Sequence, residues 1–147
     1  KSNKILLTSS NLKPDSLYAS CKLSTFYILN NIFKNSKTKF KWLRVFYIYS
    51  ENDHKKKLIP TIIKKLKQNK KILIKNPYVI RDYINLDEAV KQILSSHKKK
   101  SIVQNICSSK GISILKIAKR LEKKLKKKNL VTFLKKNRVN DKIIGKN

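Results

Sequence analysis

Apolar residues fall in short runs between lysine-rich stretches, and the spacing inside each run assigns an element. Lys4 to Thr8 reads as a short buried strand, followed by a loop whose end offers Asp15 or Ser16 as a helix cap. From Leu17 to Phe33 the apolar positions Leu17, Cys21, Phe26, Leu29, Ile32 and Phe33 fit a helix loosely. Phe40 to Tyr49 is aromatic and β-branched, which predicts one strand with both faces covered. Ile59 to Leu66 is helical and Lys71 to Ile74 a short strand. Asn85 or Asp87 caps a helix reaching about Ser95, so Asp87 is better read as a cap than as a catalytic carboxylate. Ser101 to Cys107 is a strand. Ile112 to Leu125 is a helix whose stripe of Ile114, Leu115, Ala118, Leu121 and Leu125 has helical spacing. Strands alternating with helices predict an α/β fold, and no repeat or linker divides the 147 residues, which suit a single domain.

Charge changes the picture more than length does. Against 8 Asp+Glu stand 37 Lys+Arg, a formal net charge of +29 that attracts polyanions. Four of the basic residues are arginine (Arg44, Arg81, Arg120, Arg138), leaving 33 lysines. Lysine is a point charge, whereas arginine reads phosphates and bases bidentately. Abundant Lys, Asn and Ile with 2 Gly also fit an AT-rich coding sequence. Nucleic acid therefore stays open as a partner, through lysine faces such as Lys116, Lys119, Lys123 and Lys127. Cys21 and Cys107 stand apart, as do His54 and His97, so no metal site is expected. Both cysteines read as reduced packing residues, which suits a cytoplasmic location. No apolar run approaches the roughly 20 residues of a membrane span, and no signal-peptide pattern is present.

The candidate reactive pair is Tyr18 and Lys22, four residues apart and so on one helix face. A cation beside a phenol favours phenolate, and a nearby hydroxyl such as Ser9 or Ser10 could align a substrate hydroxyl. Spacing alone is unspecific, because six tyrosines among so many lysines give about one such pair by chance.

Context adds specificity. PDSLYASCKLSTFYIL resembles the active-site helix of the extended short-chain dehydrogenases/reductases, the family of NAD-dependent nucleotide-sugar epimerases and dehydratases, which reads P-x-S/T-x-Y-G/A-x-S/T-K. Upstream, KILLTSS is similar to the strand and Ser/Thr turn that supply that family's catalytic hydroxyl. Downstream, WLRVFYIYSENDHKKKLIP resembles its L-R-x-x-x-x-Y-G-P strand and L-I-P segment, and VIRDYINLDEAV its R-D-Y-I signature. IVQNICSSKGISILKIAKRL and RVNDKIIG resemble its later Y-N-I/V-G-S-G and R-x-x-D stretches.

The resemblance implies the C-terminal part of a Rossmann-like, doubly wound parallel sheet plus the small substrate-binding region. It implies NAD or NADP as cofactor and a nucleotide sugar as substrate. Tyr18 would exchange a proton with a sugar hydroxyl while nicotinamide C4 takes or gives hydride. Lys22 would lower the tyrosine's pKa and hydrogen-bond the nicotinamide ribose. Ser10 would be the hydroxyl helper, with Ser9 and Thr8 within alignment error. Ser9 and Phe46 would lie on the cofactor side, and Tyr47 beside the substrate. Leu58, Ile59 and Pro60 would approach the nucleotide base. Arg81 and Arg138 would hold the diphosphate, and Asp141 a ribose; surface ion pairs of either arginine, with Asp82 or Glu88, are the plainer alternative. Asp15 is the one carboxylate near Tyr18 in sequence, where a dehydratase would want more, which favours epimerase or reductase. Phe26, Leu29 and Phe33 could serve a homodimer interface or the core.

Departures from the pattern are specific. Gly111 and Gly145 are the two glycines, so no G-x-x-G-x-x-G pyrophosphate-binding turn is present. Ser50-Glu51 replaces Gly-Pro, Cys107-Ser108-Ser109 replaces Gly-Ser-Gly, and Ser10 precedes Tyr18 by only 8 residues. A single partial domain, incomplete as an isolated chain, is the expectation. A catalytically dead remnant and a lysine-rich RNA-binding protein are the competing ones.

Overall fold

The computed structural model describes residues 3–50, 53–134 and 141–147. Within them β1 (Asn3–Leu6) leads to α1 (Leu17–Phe33), then β2 (Trp42–Val45), β3 (Tyr47–Tyr49) and α2 (Leu58–Lys67). Next come β4 (Ile72–Ile74), β5 (Ile80–Asn85) and α3 (Leu86–Ser95), which runs into a single 3-10 turn, Ser96–Lys98. The chain continues through β6 (Val103–Ile106), β7 (Gly111–Ser113), α4 (Ile114–Lys124), β8 (Val131–Phe133) and β9 (Lys142–Gly145).

Side-chain chemistry fixes the helix starts. The Ser16 hydroxyl accepts from Ala19 N and Asn85 Oδ1 from Asp87 N, so the cap of α3 is Asn85 rather than Asp87. Pro60 sits in the first turn of α2, where a missing N–H costs no helical bond.

The sheet order is β1-β9-β5-β3, all parallel, with β7 antiparallel to β5. Two further parallel pairs, β2 with β6 and β4 with β8, complete a parallel-rich α/β architecture. β5 is the hub. Its first residues meet β9 and β7, and its last meet β3.

Two buried clusters hold the layers. Ile62, Leu66, Ile72, Ile74, Ala118 and Val131 lock α2 and α4 onto β4 and β8. Ile84, Ala89 and Ile106 seat α3 on β5 and β6. Helix α1 is different, since none of its residues is buried. Phe26 and Phe33 pack against Phe40, and Phe26 against Trp42, so these aromatics belong to the chain's own packing. Leu17, Tyr18, Tyr27, Ile28 and Ile32 stay exposed. Among the described residues no helix is long and apolar enough to cross a membrane.

Several expectations are corrected. Phe40 to Tyr49 is two strands, because Phe46 ends pairing with β6 and Tyr47 begins pairing with β5; Val45 and Tyr47 are exposed rather than covered. Lys4 and Ile5 of β1 are exposed, so that strand is not buried. The run from Ile112 starts as a strand and becomes helix at Ile114. Cys21 is exposed and does not pack; Cys107 is buried.

Candidate active site

Helix α1 carries the Tyr18–Lys22 pair. Its i,i+4 geometry sets Lys22 Nζ 5.7 Å from the centre of the Tyr18 ring, within the range of a cation–π contact. Tyr18 is 73% exposed, so both groups are open to a ligand.

Ser10 closes the turn after β1. Its Oγ accepts from Leu7 N at 2.8 Å, while Ser10 N donates to Leu7 O at 3.1 Å. Ser9 is exposed on the same turn. Ser10 and Phe46 share the wall of a cavity of about 180 Å³ with Arg44 and Asn105. The Phe46 ring lies against Gly145, where an added Cβ would come within 2.7 Å of both that ring and Cys107 Cβ.

Arg44 was not anticipated at this site. It donates to Thr8 O at 3.0 Å, and its Nε is buried without a partner among the described residues. Burial lowers its pKa, with Tyr27 opposing.

A second cluster joins Tyr47, Arg81, Tyr83 and Asp141. Arg81 forms a bidentate pair with Asp141, with NH1 to Oδ1 at 3.0 Å and NH2 to Oδ2 at 2.9 Å. The same NH1 also donates to the carbonyls of Ile80 and Asp141. Hydrogen bonding to Asp141 raises the Arg81 pKa; burial opposes this and the Tyr47 hydroxyl adds to it. The Tyr47 and Tyr83 rings lie 5.5 Å apart, as their register opposition on β3 and β5 dictates. Burial pushes the Tyr83 phenol above its usual pKa, with Tyr47 adding and Arg81 opposing. The partner of Arg81 is thus Asp141, not Asp82 or Glu88.

Asp82 points the other way and is fully buried. Its Oδ1 accepts from Ser108 N at 2.8 Å and Ser108 Oγ at 2.6 Å, and its Oδ2 from Gly145 N at 3.1 Å. The R-D dipeptide therefore divides its work, with arginine facing the Asp141 side and aspartate tying the β6–β7 loop and β9 to β5.

Next to the Tyr47–Arg81 cluster is a pocket of about 330 Å³ lined by Ile59 of α2 together with Tyr49, Tyr83, Ser108 and Arg120. Tyr83 belongs to both. Leu58 is exposed and Pro60 half-buried, so Ile59 is the member of the L-I-P segment that reaches the pocket. Alternation along β3 and β5 could have flagged Tyr49 and Tyr83; nothing local marks Ser108 or Arg120. Arg138 lies outside the described residues. Among the described residues no group of three or more His, Cys, Asp or Glu could hold a metal.

Several solved structures share this architecture, among them a nucleotide-sugar dehydratase and nucleotide-sugar epimerases. A dTDP-glucose 4,6-dehydratase from Bacillus anthracis, in complex with NAD, superposes with a TM-score of 0.78 at 19% identity over 96% of this chain and 47% of that one. A UDP-glucose 4-epimerase from Thermotoga maritima, with UDP-glucose, gives 0.79 at 20% identity, covering 96% and 48%. A UDP-glucuronic acid 4-epimerase from Bacillus cereus, with UDP-glucuronic acid and NAD, gives 0.77 at 24%, covering 99% and 48%. The chain thus spans about half the length of these solved structures. No curated protein matches it significantly. Residues 3–107, which include YASCK and R-D-Y-I, match the NAD dependent epimerase/dehydratase family, and the chain belongs to that family.

Proposed function

We propose that this chain supplies the substrate-binding, C-terminal part of an NAD(P)-dependent enzyme that epimerises, dehydrates or reduces a nucleotide-activated sugar. The observation that carries the reading is the Tyr18–Lys22 pair, set on one exposed helix face inside the family-matched segment. The second cluster supports it. Arg81 offers a guanidinium fork suited to a diphosphate, and the adjoining pocket offers tyrosines and Ile59 to a nucleotide base. Because Asp141 occupies that fork, a diphosphate oxygen must exchange with the carboxylate or join it through another donor.

Tyr18 serves as the acid/base at the sugar hydroxyl. Lys22 holds positive charge beside the phenol, and Ser10 donates its hydroxyl proton to the same sugar oxygen. Residues at hand fit the nicotinamide end of a dinucleotide, with Phe46 against Gly145 as an apolar wall. They do not fit the pyrophosphate, since no glycine-rich turn occurs in the 147 residues. The nicotinamide group, when bound, supplies a hydride acceptor at C4. Water exclusion and the dinucleotide grip then fall to residues other than these.

The test is turnover of UDP-glucose and dTDP-glucose by the gene's whole product with NAD or NADP, compared with Tyr18→Phe. Losing the proton relay lowers kcat by about 10²- to 10⁴-fold while substrate affinity stays within about threefold. Equal turnover in the variant refutes the assignment. A wild-type product inert toward every nucleotide sugar supports the dead-remnant reading instead.

A further inference from the structure

Parallel pairing of β2 with β6 sets Trp42 opposite Val103, so the segments entering the two strands also run side by side. Both are lysine-rich. Together with the C-terminal end of α1 they enclose a cleft of about 740 Å³. Its lining holds Lys34, Lys39, Lys41, Lys98, Lys99 and Lys100, six of 13 lining residues and about twice the lysine share of the whole chain. No carboxylate lines it. Among the described residues no salt bridge engages any of these lysines. The Lys41 ammonium is held by the carbonyls of Lys99 and Ser101, which joins the two lysine-bearing walls. The other walls add the amide of Asn30, the hydroxyl of Thr38 and the stacked rings of Phe33 and Phe40, 5.5 Å apart.

Position separates this cleft from the candidate active site. It opens where β2 and β6 begin, whereas Ser10, Phe46 and the Tyr47–Arg81 cluster gather where β2 ends and beyond. From Tyr18 to Lys34 along α1 is about 24 Å at 1.5 Å per residue. Six lysines line one opening with no carboxylate among them, so their potentials add there and a polyanion relieves the repulsion.

We infer that the cleft is a binding site for the phosphodiester backbone of single-stranded nucleic acid. Lysines without arginine contact phosphates as point charges and read no base, so binding is independent of sequence. A concave, three-walled opening follows a strand. A bilayer surface would instead need an exposed apolar face, and Ile102 is the one exposed large apolar side chain in the lining.

The experiment is fluorescence anisotropy of the gene's whole product with a labelled 12-nucleotide oligouridylate. Engagement of about four phosphates gives a log–log salt slope near −3, so affinity falls about 60-fold from 50 to 200 mM KCl. Combined Lys98→Ser, Lys99→Ser and Lys100→Ser weakens binding at least tenfold and flattens the slope by about 2. A control with the same net charge, Lys123→Ser, Lys126→Ser and Lys128→Ser, stays within about threefold of wild type. The pair Lys39→Ser and Lys98→Ser, touching both walls by exposed side chains, reads the same loss if the triple variant shows altered circular dichroism. Equal losses in cleft and control variants would mean that binding follows total charge, and would overturn the site. So would unchanged oligonucleotide binding in the cleft variants, including the case where they lose binding to phosphatidylserine vesicles instead.

Discussion

Replacing Asp82 by asparagine changes almost no volume but turns one acceptor oxygen into a donor nitrogen. In the native state three donors converge on that carboxylate, Ser108 N at 2.8 Å, Ser108 Oγ at 2.6 Å and Gly145 N at 3.1 Å. If the amide oxygen keeps the Ser108 side, the new NH₂ faces Gly145 N–H. One bond to a charged acceptor is then lost, at about 1.5–3 kcal/mol, and a buried N–H is left unsatisfied at about 1–3 kcal/mol. The Ser108 bonds also fall from charge-assisted to neutral strength. Against this, the variant no longer buries a charge, which returns part of the loss. A net destabilisation of about 3 kcal/mol follows. With a urea m-value of about 2 kcal/mol per molar, the unfolding midpoint drops by about 1.5 M at unchanged m. Amide hydrogen exchange gives a local check, because Gly145 and Ser108 should lose protection before the Leu66 core does. A midpoint shift below about 0.5 M, equivalent to about 1 kcal/mol, would refute the claim that Asp82 ties the β6–β7 loop and β9 to β5.

Glu122, buried on α4, accepts from Leu130 N and Val131 N through Oε1 and from Lys119 Nζ through Oε2. Burial acts to raise its pKa, but these hydrogen bonds outweigh burial and lower it below the ordinary 4.5. A depressed carboxylate stabilises the fold above its unfolded pKa and loses that contribution as pH falls through the folded value. Glu122→Gln is therefore less stable than wild type at pH 7, and the gap narrows as pH drops below about 4.5 in urea titrations. Arg81→Lys keeps the charge but loses the fork, costing about 1 kcal/mol and a few degrees of Tm for this partly solvated pair; an unchanged melt would show that the bidentate geometry contributes nothing. Leu66→Ala empties a fully buried position between α2 and α4 and costs about 2–5 kcal/mol by denaturant unfolding.

Legibility followed the range of the interactions. Helices α1, α2 and α3 were readable to within a residue or two, because caps and apolar spacing are local signals, although the apolar fit of α1 was loose. Strand β5 was not read as a strand from its pattern, since Arg81 and Asp82 stand side by side inside it. Their partners come from 60, 26 and 63 residues away. Strands β7, β8 and β9 are three or four residues long, too short to show alternation, and exist through long-range pairing. At the site, the resemblance supplied Arg81 and Asp141 separately, and their union is a tertiary fact. Arg44 was passed over because a half-buried guanidinium looks, in a lysine-rich string, like one more cation.

The passage at Phe46 leaves the chain no slack. Its N–H completes the β2–β6 ladder by donating to Ile106 O at 3.0 Å, and the next residue already faces Tyr83 on β5. Two ladders are thus joined by one residue, and side chains alternate faces on each. Deleting or inserting a single residue here would turn Tyr47 and Tyr49 to the opposite face and exchange ring contact for solvent. The spacing from Trp42 to Tyr49 is therefore under tighter constraint than its composition: a point substitution keeps both registers, while a change of length cannot.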